Sequence, residues 1–95
     1  MGQESFTVIC YDIADDRRRR RIVLELESWG ERAQESVFEC WLSPSDLKTL
    51  HRHLLKIIDG KNDSLALYVL AESDHADICS IGRGLPCENI AHTIY

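Results

Sequence analysis

Asp12 closes an apolar run, Phe6-Thr7-Val8-Ile9-Cys10-Tyr11, and five arginines, Arg17 to Arg21, follow shortly after it. A carboxylate holds a hard cation such as Mg²⁺ through oxygen, and an arginine fork grips phosphate bidentately. Side by side they point to binding, or hydrolysis, of a phosphodiester backbone. The same residues also fit a plainer reading, an acid-capped helix with a solvated basic face.

Placing these groups requires a strand that delivers Asp12 and a helix that carries the arginines. Phe6 to Tyr11 reads as the strand, rich in Val, Ile and aromatic residues. Asp15 or Asp16 is suited to cap the helix, whose Ile22, Leu26 and Trp29 recur at +4 and +3 until Gly30. A second strand is expected over Ala33–Leu42. Ser43-Pro44-Ser45-Asp46 then starts a second helix, with Leu47, Leu50, Leu54 and Ile57 as its stripe and Asp59-Gly60 at its end. Further strands are expected at Ser64–Ala71, Ala76–Ile81 and Asn89–Tyr95, joined by loop chemistry at Asn62-Asp63, Ser73-Asp74 and Gly82-Arg83-Gly84.

The expected fold class is α+β. It is a ferredoxin-like sandwich of βαβαββ order with an additional C-terminal strand, in one domain spanning residues 1–95. With both helices on one face, the other sheet face would be bare, so a homodimer is expected to cover it.

Net charge is −5, yet five of the eleven Lys and Arg residues sit in Arg17–Arg21 while the acids are scattered. A local basic patch on an acidic chain still binds phosphate, so the total excludes little. No segment approaches the roughly 20 apolar residues needed to span a bilayer, and Met1–Ser5 has no signal-peptide character. Cys10, Cys40, Cys79 and Cys87 show no metal-ligand spacing. The first three lie in apolar runs and read as buried free thiols. A cytoplasmic protein without membrane contact is expected.

Two motifs carry a family likeness. Tyr11-Asp12-Ile13 with Asp15-Asp16-Arg17-Arg18-Arg19 is one, and Arg32-Ala33-Gln34-Glu35-Ser36-Val37-Phe38-Glu39 is the other. With Ser64-Leu65-Ala66-Leu67-Tyr68 and Ile81-Gly82-Arg83-Gly84, the chain resembles the small CRISPR-associated adaptation nucleases of the Cas-two family. The resemblance implies a homodimer whose two Asp12 residues face each other across a two-fold axis. It implies Asp12 as metal ligand and catalytic residue, with Mg²⁺ or Mn²⁺ as cofactor. Tyr11, Arg19, Arg21, Arg32 and Phe38, with Arg17 from the same run, are then the expected nucleic-acid-binding residues. The implied partners are the CRISPR integrase (the Cas-one family) in spacer acquisition, and double-stranded DNA, with RNA as an alternative. Glu35 departs from the pattern by placing an acid beside the substrate path, and five consecutive arginines are denser than usual.

One carboxylate is a poor Mg²⁺ site, because the ion wants octahedral oxygen coordination, whereas two Asp12 across an axis would serve. No residue is placed as general base. A DNA-gripping scaffold without cleavage therefore stands beside the nuclease reading, with Asp12 then accepting backbone N–H groups at the helix start. A small-molecule-sensing ferredoxin-like domain is a third reading, which the arginine cluster opposes. His51 and His53 point to different helix faces and read as solvated. Trp29 and Trp41 read as core or dimer contacts.

Overall fold

The computed structural model describes residues 4–70 and 76–82, with residues 76–78 described by their backbone alone. Ser5–Asp12 forms β1, Asp16–Glu27 forms α1, Gly30–Gln34 forms β2 and Val37–Leu42 forms β3. Pro44–Leu55 forms α2, Ser64–Leu70 forms β4 and Ala76–Gly82 forms β5. The sheet runs β2-β3-β1-β4-β5, with every neighbouring pair antiparallel.

The order is thus βαββαββ, not βαβαββ. The expected strand over Ala33–Leu42 is broken by a turn at Glu35-Ser36; it holds the end of β2 and all of β3, which pair as a hairpin from Gly30 to Leu42 with a register shift between Arg32 and Gln34. That turn lacks Gly and Pro, the usual punctuation, so the sequence offers no break there. The second helix also ends early, at Leu55 with Lys56 as cap, leaving Ile57 and Ile58 beyond it but still packed on the core. The expected strand Asn89–Tyr95, with Arg83 and Cys87, lies outside the described residues.

β1 sits at the centre and buries both of its faces. Ile9, Tyr11 and Ile13 join Phe38, Cys40, Leu42, Leu65, Leu67 and Ile81 beneath Ile22 and Leu26 of α1 and Leu50 and Leu54 of α2. Alternation along the strands sends Val8, Cys10, Val37, Ala66 and Tyr68 to the other face. That face is less bare than the helix placement implies: Cys10, Ala66 and Tyr68 are fully buried and Phe6 is partly so. Trp41 is its exposed aromatic, tilted against Phe6 with ring centroids 5.2 Å apart.

Cys10 and Cys40 are buried thiols outside any disulfide, and burial pushes the Cys40 thiol up to about 11. Cys79 is free but exposed, on a strand with no further neighbour among the described residues. No helix among the described residues is long and apolar enough to cross a membrane.

Candidate nucleic-acid interface

The strand end, the start of α1 and the β2–β3 turn meet at one end of the sheet. Tyr11, Asp12, Ile13, Arg19, Arg32, Glu35 and Ser36 line an open cleft there, of about 300 Å³. β1 delivers Asp12 to its rim, where the residue is exposed and pairs in register with Ser64 of β4.

The tyrosine holds the cleft wall together. Its ring is buried against the Phe38 side, 6.3 Å between centroids, and its hydroxyl donates to the Glu35 carbonyl at 3.0 Å. Arg32 donates to the same carbonyl from Nε (3.2 Å) and Nη2 (2.7 Å), and from Nη2 to the Tyr11 hydroxyl at 3.4 Å. The Tyr11 N–H donates to the Ser36 carbonyl at 3.1 Å. These bonds pin the hairpin turn to the end of β1, some 24 residues away in sequence. Arg32 keeps an exposed guanidinium beside the cleft while it anchors the turn.

The arginine run divides. Arg18 turns inward: its Nε and Nη2 donate to Asp63 at 2.8 and 3.1 Å. Arg19 bridges the cleft wall, donating from Nη2 to the Ile13 carbonyl at 2.9 Å and from Nη1 to Asp16. Arg17, Arg20 and Arg21 are exposed, with no ion pair or side-chain hydrogen bond to the described residues. The helix period explains the split: Arg18 and Arg19 precede buried Ile22 by four and three residues, so they lie on its side of the helix.

Of the expected site residues, Tyr11, Asp12, Arg19 and Arg32 line one cleft, and Arg17 and Arg21 stand on the exposed side of α1. Phe38 is different. It is fully buried under the helices, so its ring has no surface to offer a nucleic acid. Its place in the motif is structural, as the floor under Tyr11.

Sequence reasoning missed Asp63, which reads there as a loop residue. It is fully buried and accepts from Arg18, from the Ala14 N–H at 2.9 Å and from the Asp59 N–H at 2.9 Å. Burial alone would raise its carboxyl, but the Arg18 fork and the two N–H donors prevail and hold it at about 2. The Arg18 guanidinium is raised in turn, chiefly by its bond to Asp63. Asp59 also accepts from the Lys61 N–H and from Asn62, a local turn pattern that Asp59-Gly60-Lys61-Asn62-Asp63 displays in sequence. That pattern was the available signal; the distant arginine left none.

His53 also departs from expectation. Its Nδ1 lies 2.9 Å from Glu25 Oε2, which accepts from Trp29 Nε1 at 2.8 Å, so it ties α2 to α1. Burial would raise the Glu25 carboxyl, but the bonds from His53 and Trp29 lower it below its ordinary value.

A site for a divalent ion must be judged on donors. Asp12 and Glu35 are the carboxylates lining the cleft, and no three His, Cys, Asp or Glu side chains converge as a metal site among the described residues. One chain's described donors therefore do not fit a closed Mg²⁺ site.

A family model described as CRISPR associated protein Cas2 matches residues 5–78. CRISPR-associated endoribonuclease Cas2 3 of Synechocystis sp. is 50% identical over 64 residues, covering 67% of this chain and 70% of that relative. CRISPR-associated endonuclease Cas2 2 of Thermus thermophilus is 42% identical over 71 residues, 75% of this chain and 78% of the relative. Among solved structures, Streptococcus pyogenes Cas2 superposes with a TM-score of 0.65 at 30% identity, over 72% of this chain and 88% of that one.

Proposed function

This chain belongs to the CRISPR-associated Cas2 family, and from that premise we propose that it binds a phosphodiester backbone in the Asp12 cleft as a homodimeric adaptation protein. The observation that carries this reading is the convergence of Tyr11, Asp12, Arg19 and Arg32 on one cleft, beside a helix whose Arg17, Arg20 and Arg21 are unspent. Exposed arginines neutralise successive phosphates, a sequence-independent attraction that releases counterions. Double-stranded DNA is the proposed ligand, and an integrase of the Cas-one family the proposed partner in spacer acquisition. Relatives named endonuclease and relatives named endoribonuclease both occur, so RNA is the competing substrate.

The order β1-α1-β2-β3-α2-β4 supports a ferredoxin-like arrangement with β5 added at one edge. Dimerisation is proposed through the sheet face away from the helices, where Trp41 stays 61% exposed beside Phe6.

Cleavage is the second reading, favoured by the acid at the rim. In a dimer a second Asp12 would supply the carboxylate that one chain lacks, and the pair would hold Mg²⁺ or Mn²⁺. A bound divalent ion would neutralise the phosphate and lower the pKa of its water. The chain's own residues would do the rest: Arg19 and Arg32 orient the backbone and meet charge growing on the phosphate oxygens, while Tyr11 keeps the turn that carries Glu35 and Ser36 in place.

Asp12→Asn tests the division. Loss of divalent-dependent cleavage with duplex binding retained is expected if Asp12 holds the ion. Cleavage by Asp12→Asn equal to the parent would remove the metal reading and leave the binding protein. Spacer acquisition in cells by Asp12→Asn, if retained, marks the binding role as the physiological one.

A further inference from the structure

Asp63 lies outside the cleft, yet it holds the piece of chain that leaves it. Its two oxygens accept four hydrogen bonds: from Ala14 N–H, Asp59 N–H, Arg18 Nε and Arg18 Nη2. Ala14 is two residues beyond Asp12, and Arg18 adjoins Arg19, the arginine that holds the Ile13 carbonyl from the other side. The turn between β1 and α1 is thus gripped at Ile13 by Arg19 and at Ala14 by Asp63.

The platform under Asp63 is itself fixed. Ser64, its neighbour, pairs with Asp12 across β1 and β4 and with Gly82 across β4 and β5. Gly82 has φ +87°, and a Cβ there would stand 2.2 Å from the Asp63 carbonyl oxygen, so the backbone approach requires glycine. A buried carboxylate that accepts four hydrogen bonds, next to a strand start paired on both sides, makes a support for the turn that follows Asp12.

We propose that Asp63 is a positioning residue for Asp12: through Ala14 and Arg18 it sets the path of the β1–α1 turn and thereby where the Asp12 carboxylate and the Arg19 guanidinium stand. It touches neither substrate nor ion. The consequence for catalysis rests on the reading of Asp12 as the metal-holding acid; the consequence for geometry does not. Asp63 also withdraws Arg18 from the phosphate-facing set, so the pair determines which arginines of the run are available.

The test uses the full-length protein with Asp63→Asn, which keeps the shape and loses the charge, and Arg18→Met, which leaves Asp63 only its two backbone donors. Cleavage of a short duplex is followed across Mg²⁺ concentration, and amide spectra with hydrogen exchange report Asp12, Ile13 and Ala14. Supporting residues around a metal site cost roughly 10- to 100-fold on removal. Asp63→Asn is therefore expected to lower kcat roughly 10-fold with KM within about twofold, to demand more Mg²⁺, and to shift the Asp12 and Ile13 amides. Arg18→Met should give the same pattern more weakly, and it decides the matter if Asp63→Asn does not fold.

Folded variants with unmoved Asp12 and Ile13 amides and parental kcat would overturn the proposal. So would an accelerated exchange confined to Ala14 with kcat and the Asp12 amide unchanged, which would make Asp63 a local staple only. If Asp12→Asn cleaves like the parent, the metal reading falls by itself, and the amide shifts still decide whether Asp63 positions Asp12.

Discussion

The two helices begin by different means. At α2 the Ser43 side chain accepts from the Asp46 N–H at 3.1 Å, and the Asp46 carboxylate accepts back from the Ser43 N–H at 3.3 Å. Pro44 occupies the first turn, so four adjacent residues close the helix start on themselves. At α1 the Asp15 carboxylate caps the Arg18 N–H at 3.0 Å, but the turn before it is held by Asp63, 49 residues from Ala14. One start is local and serves stability. The other adds a clamp from distant chain to its local Asp15 cap and adjoins the cleft, so disturbing that clamp should reach the site as well as the fold.

That contrast is broken most severely by Asp63→Ala. It leaves the partly exposed Arg18 guanidinium without its partner and strands two N–H donors, and leaving such donors unmet costs about 2 kcal/mol. A loss of unfolding free energy of that order is expected in denaturant titration, against about 1 kcal/mol for Ser43→Ala, an ordinary loss of an N-cap. Ser43→Ala should also leave duplex binding unchanged. Equal costs for the two substitutions would mean that the distant clamp is no more than a cap.

Acid separates the two starts further. The Asp63 carboxyl is held at about 2, below its ordinary 3.8. A depressed folded-state value contributes stability that is complete above about 4 and drains away as pH falls through about 2. Thermal melts between those limits should lose midpoint steadily in the parent. In Asp63→Asn that part of the loss should be absent, whereas Ser43→Ala should keep it.

The same contrast explains what could be read in the sequence. The α2 start was legible because its code lies within four residues, and Tyr11, Asp12, Arg19 and Arg32 were legible through the resemblance their motifs carry. Asp63 was not, because its meaning depends on Arg18, and a loop aspartate beside Asn62 looks like turn chemistry until the fold brings the arginine to it. The turn inside 33–42 was hidden because Glu35-Ser36 is held by the side chains of Tyr11 and Arg32 rather than by Gly or Pro. His53 escaped for a related reason: helical spacing places it relative to His51, but only packing of α2 on α1 sets it beside Glu25. Phe38 differs the other way: it is fully buried, and a family motif does not distinguish a side chain at the surface from one that supports the residue above it.

The smallest structural effect, and the sharpest separation, is expected within the arginine run itself. Arg17→Ala and Arg21→Ala remove exposed guanidinium groups that hold nothing among the described residues, so the melting midpoint should stay where it is. Duplex affinity should nevertheless fall and its salt dependence flatten, by about 0.9 in the log–log slope for each phosphate that is no longer neutralised. Arg18→Ala should behave in the opposite sense, lowering the midpoint while leaving the salt slope nearly intact, because its charge is already spent on Asp63. If Arg18→Ala flattens the slope as much as Arg21→Ala does, the inward turn of Arg18 yields to phosphate when nucleic acid arrives, and the run acts as one cluster rather than as a structural arginine between two binding ones.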